Sequence, residues 1–418
     1  MKKRYIRHAS ELVTCRGTAP KHGKEMSEIG LIMDGGVLIH DDKIYAVGTT
    51  EELDKKAAGE DYEIIDATGK TVLPGFVDSH THFLFGGYRA DEFGWRLKGD
   101  SYMSIMERGG GINATVVPTR AASKETFVEL GRERLNRMLE FGVTTVEGKS
   151  GYGMDHDTEI RMLEAYKELD ETHPVDVVRT FLGPHSVLPE WKGKEREFID
   201  YMLTEVMPEV KERNLAEFAD IFTEKGVFNI EDSEYYLNKA KEMGFKVKVH
   251  VDEITPDFGG AEMAGRVGAY SADHLLKVSD EGIRMMRDNG VISTVLPLTA
   301  FCLKEPYAPA RKMIDEGAAV ALASDLNPGS CFSNNIPLMV ALGCIYMNMS
   351  IEEVITAITI NGAAAVDRAD RVGSIEEGKQ ADIVFLKFPS INYMPYHTTI
   401  NLVETVIKNG ETVYHKEW

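Results

Sequence analysis

The sequence of 418 residues is poor in cysteine and in basic side chains. Its four cysteines form no Cys-x-x-Cys pair, which excludes a zinc knuckle and a small disulfide scaffold. With 47 Lys and Arg against 67 Asp and Glu, the formal net charge is −20. Because such a charge repels phosphate groups, nucleic acid and membrane surfaces are excluded as expected partners. Free thiols are typical of a reducing compartment, so we expect a cytoplasmic protein.

Long apolar runs are also missing. No stretch approaches the roughly 18 uninterrupted apolar residues of a transmembrane helix. The basic start, Met1–Ile6, is followed by polar residues, whereas a secretory signal continues with an apolar core. A composition of 43% hydrophobic and 27% charged residues is that of a globular protein, so the function has to be sought in motifs.

Short apolar runs alternate with amphipathic, helix-like stretches through the middle of the chain. The eight candidate strands are 75–77, 142–147, 175–182, 218–222, 245–251, 269–273, 290–296 and 319–323. A doubly wound sheet has the same periodicity, but most of these runs end at or just before a His, Asp, Glu or Lys. This favours a distorted TIM (β/α)8 barrel of ordinary size over residues 71–372.

The two flanks, residues 1–70 and 373–418, contain short strand patterns and hairpin turns instead. Asn409-Gly410, between apolar stretches on either side, is a strong signal for a two-residue hairpin. Neither flank is long enough to bury a large core by itself. We therefore predict that the N- and C-terminal segments combine into one small β-sandwich domain beside the barrel.

The strongest local signal is the pair His80 and His82. Residues two apart on a strand point to the same side of the pleat, although the pair alone also fits two hydrogen-bonded core histidines. Three later strands end at His250, at His274 and at Asp325. Side chains at the carboxyl ends of barrel strands converge on one site. Three imidazoles and one carboxylate, with water completing the shell, are typical of a catalytic zinc or iron centre.

The sequence also resembles a known family. Pro-Gly-Phe-Val-Asp-Ser-His-Thr-His at 74–82, with the later His250, His274 and Asp325, resembles the amidohydrolase superfamily. More narrowly, four stretches resemble the imidazolonepropionase family, and the resemblance runs over nearly the whole chain. These stretches are residues 85–90, 109–115, 147–153 and 325–330.

Many amidohydrolases hold two metals bridged by a carbamylated lysine on the fourth strand. Here the fourth strand ends before Lys225, and Lys149 ends the second strand instead. The resemblance therefore implies a single divalent ion per chain, zinc or iron. Its expected ligands are His80, His82, His250 and Asp325.

The resemblance implies hydrolysis of the ring amide of 4-imidazolone-5-propanoate to N-formimidoyl-L-glutamate, the third step of histidine degradation. A metal-activated water attacks the ring amide. Asp325, His274 and Glu253 are the candidates that orient this water and move its proton, and the general base stays open among them. His185 is expected to bind the carbonyl side of the substrate and to hold developing negative charge.

The carboxylate tail of such a substrate needs a local cation in so acidic a protein. Arg89 is expected to bind it as a bidentate fork, and Tyr152 adds a hydroxyl donor. Asn327, Gly329 and Ser330, in the loop after Asp325, are expected to offer further donors to substrate or product. Glu253 and His185 complete the predicted substrate-binding set, and the resemblance implies a homodimer.

Two other functions compete with this one. A nucleobase or heterocycle deaminase uses the same metal scaffold, but it has no propionate for Arg89 to anchor. A non-catalytic, barrel-like interaction protein is the second alternative. Such a protein is expected to have lost metal ligands, whereas all four are present in this sequence.

Overall fold

Two β-sheets organise the chain, which a computed structural model describes over residues 2–100, 104–105 and 108–417. The strands are β1 (Lys3–Val13), β2 (Leu31–His40), β3 (Lys43–Thr49), β4 (Glu63–Asp66), β5 (Thr71–Pro74), β6 (Phe76–Asp78), β7 (Val143–Lys149), β8 (Asp176–Phe181), β9 (Phe218–Ala219), β10 (Phe222–Thr223), β11 (Lys246–Val251), β12 (Ser271–His274), β13 (Ile292–Val295), β14 (Val320–Leu322), β15 (Ile383–Leu386), β16 (Val403–Lys408) and β17 (Glu411–His415).

Helices follow most of the strands. They are α1 (Thr50–Ala57), α2 (Ala90–Leu97), α3 (Asn113–Ala121), α4 (Lys124–Glu140), α5 (His156–Thr172), α6 (Glu195–Tyr201), α7 (Met207–Glu212), α8 (Ile230–Glu242), α9 (Gly260–Val267), α10 (Asp280–Asp288), α11 (Pro297–Leu303), α12 (Ala310–Asp315), α13 (Ile336–Ile345), α14 (Ile351–Ile358), α15 (Ile360–Ala365) and α16 (Tyr393–Tyr396). None of those in the described part of the chain is both long and apolar enough to cross a bilayer.

The parallel sheet is the barrel that the sequence predicts. Its strands run in the order β14-β13-β12-β11-β9-β8-β7-β6, and β10 also pairs with β11, so the fourth strand comes in two short pieces. The ring closes beyond the strand ends. The N–H of Asp325 donates to the carbonyl of His80 (3.0 Å), and the N–H of His82 donates to that of Leu326 (2.9 Å). Closure therefore places the first and last strand ends, with their candidate ligands, side by side.

The terminal segments join β5 in the second sheet, so the strands from the two ends lie in one sheet where a β-sandwich was expected. Its order is β17-β16-β15-β5-β1-β2-β3, with β4 also paired to β1, so strands from both ends of the chain join one hydrogen-bonded sheet. The predicted turn at Asn409-Gly410 connects β16 to β17. Strand β5, Thr71–Pro74, pairs with β1 and β15, and only Gly75 separates it from β6. The terminal sheet thus leads directly into the strand that precedes His80.

Several helices begin where a side chain caps them. Ser123 accepts a hydrogen bond from the N–H of Thr126 at the start of α4, and Asp155 does the same for Thr158 at α5. Between α6 and α7 the helical chain is instead interrupted by a π-helical turn, Met202–Val206. Pro208, at the start of α7, has no N–H to continue the regular ladder, which explains the break.

A stability prediction follows from the β16–β17 turn. Gly410 has φ +75°, and a Cβ there would lie 2.1 Å from the carbonyl oxygen of Asp41. Gly410→Ala should lower the thermal midpoint by several degrees, because the left-handed backbone costs about 1 kcal/mol and the clash adds about 1–3 kcal/mol. Gly69→Ala is the control in calorimetry, since Gly69 has φ +76° with nothing within 4 Å. Equal shifts for both variants would contradict the steric argument.

Candidate metal centre and active site

Three imidazole nitrogens meet at the mouth of the barrel. Nε2 of His82 lies 3.3 Å from Nε2 of His80 and 3.3 Å from Nε2 of His250. Oδ1 of Asp325 lies 3.5 Å from Nε2 of His80 and 3.6 Å from Nε2 of His82. All four side chains are buried. The structure thus brings together the four residues that the sequence analysis expects as ligands.

The arrangement of these donor atoms fits a divalent cation. Four donors bound tetrahedrally at about 2.0–2.1 Å are about 3.3–3.4 Å apart, close to the spacing found here. Burial lowers the pKa of His80, His82 and His250 well below its usual value, so the imidazoles are neutral, the form that binds metals. A divalent cation held by these atoms would take up the lone pairs that the neutral nitrogens offer.

Two buried aspartates set the tautomers of two of these rings. Nδ1 of His80 lies 2.6 Å from Oδ2 of Asp273, and Nδ1 of His250 lies 3.1 Å from Oδ1 of Asp220. Because a carboxylate only accepts, Nδ1 of each ring carries the proton and Nε2 keeps its lone pair. Ser271 in turn donates to Oδ1 of Asp273 at 2.6 Å. The aspartates thus orient both rings toward the common centre.

A fully buried lysine supports these aspartates. Nζ of Lys149 lies 2.7 Å from Asp220, 3.0 Å from Glu147 and 3.6 Å from Asp273. Burial by itself would lower the pKa of Lys149, but the three carboxylates outweigh burial and raise it, so the ammonium stays charged. Nζ of Lys248 lies 2.7 Å from Glu147. Lys149 is therefore an ammonium paired with buried carboxylates.

The sequence analysis missed this network of charged residues. A signal was available, because Glu147 and Lys149 on β7, and Lys248 and His250 on β11, are each two residues apart within apolar runs. On a strand this spacing sends both side chains to one face. Charged residues at alternate positions of a buried strand indicate a polar network inside the barrel.

His274 and Asp325 have unusual backbone conformations. His274 has φ +81° and Asp325 has φ +51°, both rare for residues other than glycine and typical of functional sites.

Glu253 lies beside His274. Nδ1 of His274 lies 3.6 Å from Oε1 of Glu253. Burial, with smaller contributions from Glu224 and Glu305, raises the pKa of Glu253 to about 7. Glu253 therefore exists in both protonation states near neutral pH.

His185 packs against one of the candidate metal ligands. Its ring stacks on that of His82, with centroids 4.9 Å apart and planes 11° apart. Nδ1 lies 2.9 Å from the carbonyl oxygen of Gly151 and donates to it. Burial lowers the pKa of His185 to about 4, so the ring is neutral and Nε2 keeps a lone pair. In this state His185 accepts a hydrogen bond from a ligand, whereas stabilising an oxyanion would require a protonated Nε2.

One cavity of about 770 Å³ joins the predicted residues. Every candidate site residue except the deeper His80 lines it: His82, Arg89, Tyr152, His185, His250, Glu253, His274, Asp325, Asn327, Gly329 and Ser330. The hydroxyl of Tyr152 stays protonated, because burial raises its pKa. The cavity is thus shared by the candidate metal ligands, the candidates for proton transfer and the guanidinium of Arg89.

The loop after β14 uses its polar groups internally. Oδ1 of Asn327 accepts from the N–H groups of Gly329 and Ser330, each at 2.8 Å, and Nδ2 of Asn327 donates to the carbonyl of Asp325 at 2.8 Å. The backbone donors that we expected to bind substrate are therefore already bonded within the loop. These three residues shape the cavity wall.

Comparison with known proteins places the chain among relatives of one kind. Residues 71–413 match the amidohydrolase family. The chain belongs to the amidohydrolase family. It is 57% identical to an imidazolonepropionase of Parabacteroides distasonis, with 97% of each chain covered. It is 53% identical to an imidazolonepropionase of Clostridium tetani, with 99% of this chain and 98% of the other covered.

Solved structures of more distant relatives share the fold. Guanine deaminase of E. coli superimposes with a TM-score of 0.72 at 15% identity, with all of both chains covered. An atrazine chlorohydrolase of Arthrobacter aurescens, complexed with zinc, gives 0.73 at 17% identity, with 98% of this chain and 95% of the other covered. At such identities the likeness shows that this amidohydrolase has their architecture.

The tautomer argument yields a prediction about metal affinity. Asp273→Asn removes the charge that fixes Nδ1–H of His80 and leaves Lys149 with one carboxylate fewer. We expect the affinity for zinc to fall by about 10–100-fold, the usual effect of losing such a partner. The metal-free protein is titrated with zinc in competition with a chromophoric chelator. Asp280→Asn, an exposed change on α10, is the control, and equal affinity in both variants would contradict the orienting role.

Proposed function

We propose that this amidohydrolase is an imidazolonepropionase. It hydrolyses the ring amide C–N bond of 4-imidazolone-5-propanoate and forms N-formimidoyl-L-glutamate, a step of histidine degradation. The observation that carries the proposal is the 50–57% identity, over at least 97% of the chain, to proteins named imidazolonepropionase. The cavity agrees with it, because an arginine and a cluster of metal-ligand type line the same space.

His80, His82, His250 and Asp325 are the residues that would hold one divalent ion, zinc or iron. When bound, such an ion supplies a water that is activated at neutral pH and polarises the substrate carbonyl. Thr299 donates to Oδ2 of Asp325 at 2.6 Å, which orients the carboxylate. The remaining tasks are to bind the substrate and to move one proton.

Proton transfer falls to Glu253 and His274. Hydrolysis adds the water oxygen to the ring carbonyl carbon, breaks the C–N bond and delivers a proton to the leaving ring nitrogen. With its pKa near 7, Glu253 takes a proton from the water side and returns it to that nitrogen. His274, 3.6 Å away, shares this proton path. His185 accepts a hydrogen bond from a ring N–H and holds the ring in place.

Arg89 binds the propionate tail. Its side chain is only 11% exposed, and Glu92 accepts from Nε and Nη2, so Nη1 is the nitrogen left for the tail where a bidentate fork was expected. Tyr152, protonated beside His185, adds a donor. A nucleobase substrate has no carboxylate for Arg89 to bind. The high-identity relatives also do not favour a deaminase.

The interaction-protein alternative is disfavoured by the intact site. All four donor residues converge, and the aspartates that orient two of them are in place. The proposal also includes a cytoplasmic location, which the free cysteines support. It includes a homodimer, which the family resemblance supports.

Turnover tests the function directly. The purified protein should convert synthetic 4-imidazolone-5-propanoate into N-formimidoyl-L-glutamate, identified by mass spectrometry. Dialysis against a chelator should abolish this activity, and zinc or iron should restore it. Ammonia release from guanine or cytosine, without turnover of the imidazolone, would instead indicate a deaminase.

The proton-transfer assignment predicts a pH effect. Glu253→Gln should lower kcat by about 10²–10⁴-fold. Because the ionised carboxylate acts first, kcat/KM of the wild type should fall as the pH drops through about 7. That limb of the profile should be absent in Glu253→Gln and present in Glu281→Gln, an exposed control on α10. An unchanged profile in Glu253→Gln would exclude Glu253 from proton transfer.

A further inference from the structure

A second arginine lies beside Arg89. Arg96, in the last turn of α2, lines the same cavity. Its Nη2 donates to the carbonyl of Gly329 at 2.8 Å and lies 3.6 Å from Oε1 of Glu92. Its Nη1 is buried and has no hydrogen-bond partner among the residues that the structure describes. Because an unpaired buried donor costs free energy, Nη1 of Arg96 is, within the described residues, available for an acceptor on a ligand.

Glu92 joins both arginines. It accepts from Nε of Arg89 at 2.9 Å, from Nη2 of Arg89, and from the N–H of Gly111 at 2.8 Å. Two of the three nitrogens of Arg89 are therefore occupied. A Cβ placed on Gly329 would lie 2.4 Å from the third nitrogen, Nη1, so both guanidiniums lie against Gly329.

Among the residues that the structure describes, the contacts of this group leave one positive charge without a carboxylate partner. Arg89 and Arg96 carry two positive charges and Glu92 one negative charge. Asp100 also lines the cavity, but it is paired with Arg108 at 2.9 Å. One anionic group from a ligand would balance the group and supply the missing acceptor.

We propose that Arg96 is a second binding residue for the substrate carboxylate, and that Glu92 is a positioning residue that holds both guanidiniums. The inference rests on the proposed function and adds a specificity residue to it. Arg89 is the N-cap residue of α2, and Glu92 and Arg96 follow it within the helix, four residues apart on one face, so that Glu92 contacts both guanidiniums. The carboxylate therefore binds between the two arginines, beside the loop that follows Asp325.

The experiment compares an anionic probe with a neutral one. Imidazole-4-propionate carries the same tail as the substrate, and its primary amide lacks the charge. Both are measured as competitive inhibitors and by calorimetry against the wild type, Arg96→Met and Arg96→Lys. Arg89→Met is the positive reference, and Arg132→Met, on the outer helix α4, is the matched control.

Arg96→Met should weaken binding of the acid by about 10–100-fold, the usual effect of losing a charged hydrogen bond, while binding of the amide stays nearly constant. Arg96→Lys should restore part of the loss. Glu92→Gln should raise KM more than it lowers kcat. Equal effects on acid and amide, or no effect, would overturn the role of Arg96.

The role of Arg96 and the proposed imidazolone hydrolysis can fail independently in these experiments. Turnover by the wild type together with an unchanged preference for the acid in Arg96→Met rejects Arg96 alone. If the wild type fails to turn over the imidazolone, the proposed function fails. Calorimetry then still decides whether Arg96 recognises a carboxylate. Thermal melting of each variant, and the milder Arg96→Gln, identify any loss that comes from misfolding.

Discussion

The site depends on three neutral imidazoles, those of His80, His82 and His250, whose Nε2 atoms lie close together at the barrel mouth. Such a cluster binds a cation only if the rings keep this orientation. The protein therefore has to hold the rings in place by other contacts. Asp273 and Asp220 do so through Nδ1 of His80 and His250.

The aspartates that hold the rings are themselves costly to bury. Lys149 and Lys248 contribute two positive charges to the network, against three negative charges on Glu147, Asp220 and Asp273. A fully buried ion pair gains little net stability, because desolvation offsets its Coulomb attraction. We interpret this network as a means of orientation. Its one excess negative charge would favour a divalent cation held by His80, His82, His250 and Asp325.

The mouth of the cavity solves a different electrostatic problem. A chain of charge −20 repels an anionic substrate, yet Arg89 and Arg96 lie together at the cavity wall. Glu92 keeps them from repelling each other and fixes their direction. Two separate sets of charged residues therefore support the two tasks. The network around Lys149 orients the candidate metal ligands, and Arg89, Glu92 and Arg96 serve recognition of the substrate tail.

Much of this protein was determined by local patterns in the sequence. Short apolar runs between helix-like stretches predicted the eight barrel strands, and Asn409-Gly410 predicted the terminal hairpin. Both signals depend on neighbouring residues. The His80–His82 pair and the polar strand ends predicted the site, since a barrel brings strand ends to one mouth. Only the tertiary structure decided the partners. The pairing of Lys149 with Asp220 and the bond from Arg96 to Gly329 join residues far apart in sequence, and the bonds of Asn327 within its own loop depend on the exact course of that loop. No local spacing encodes these contacts.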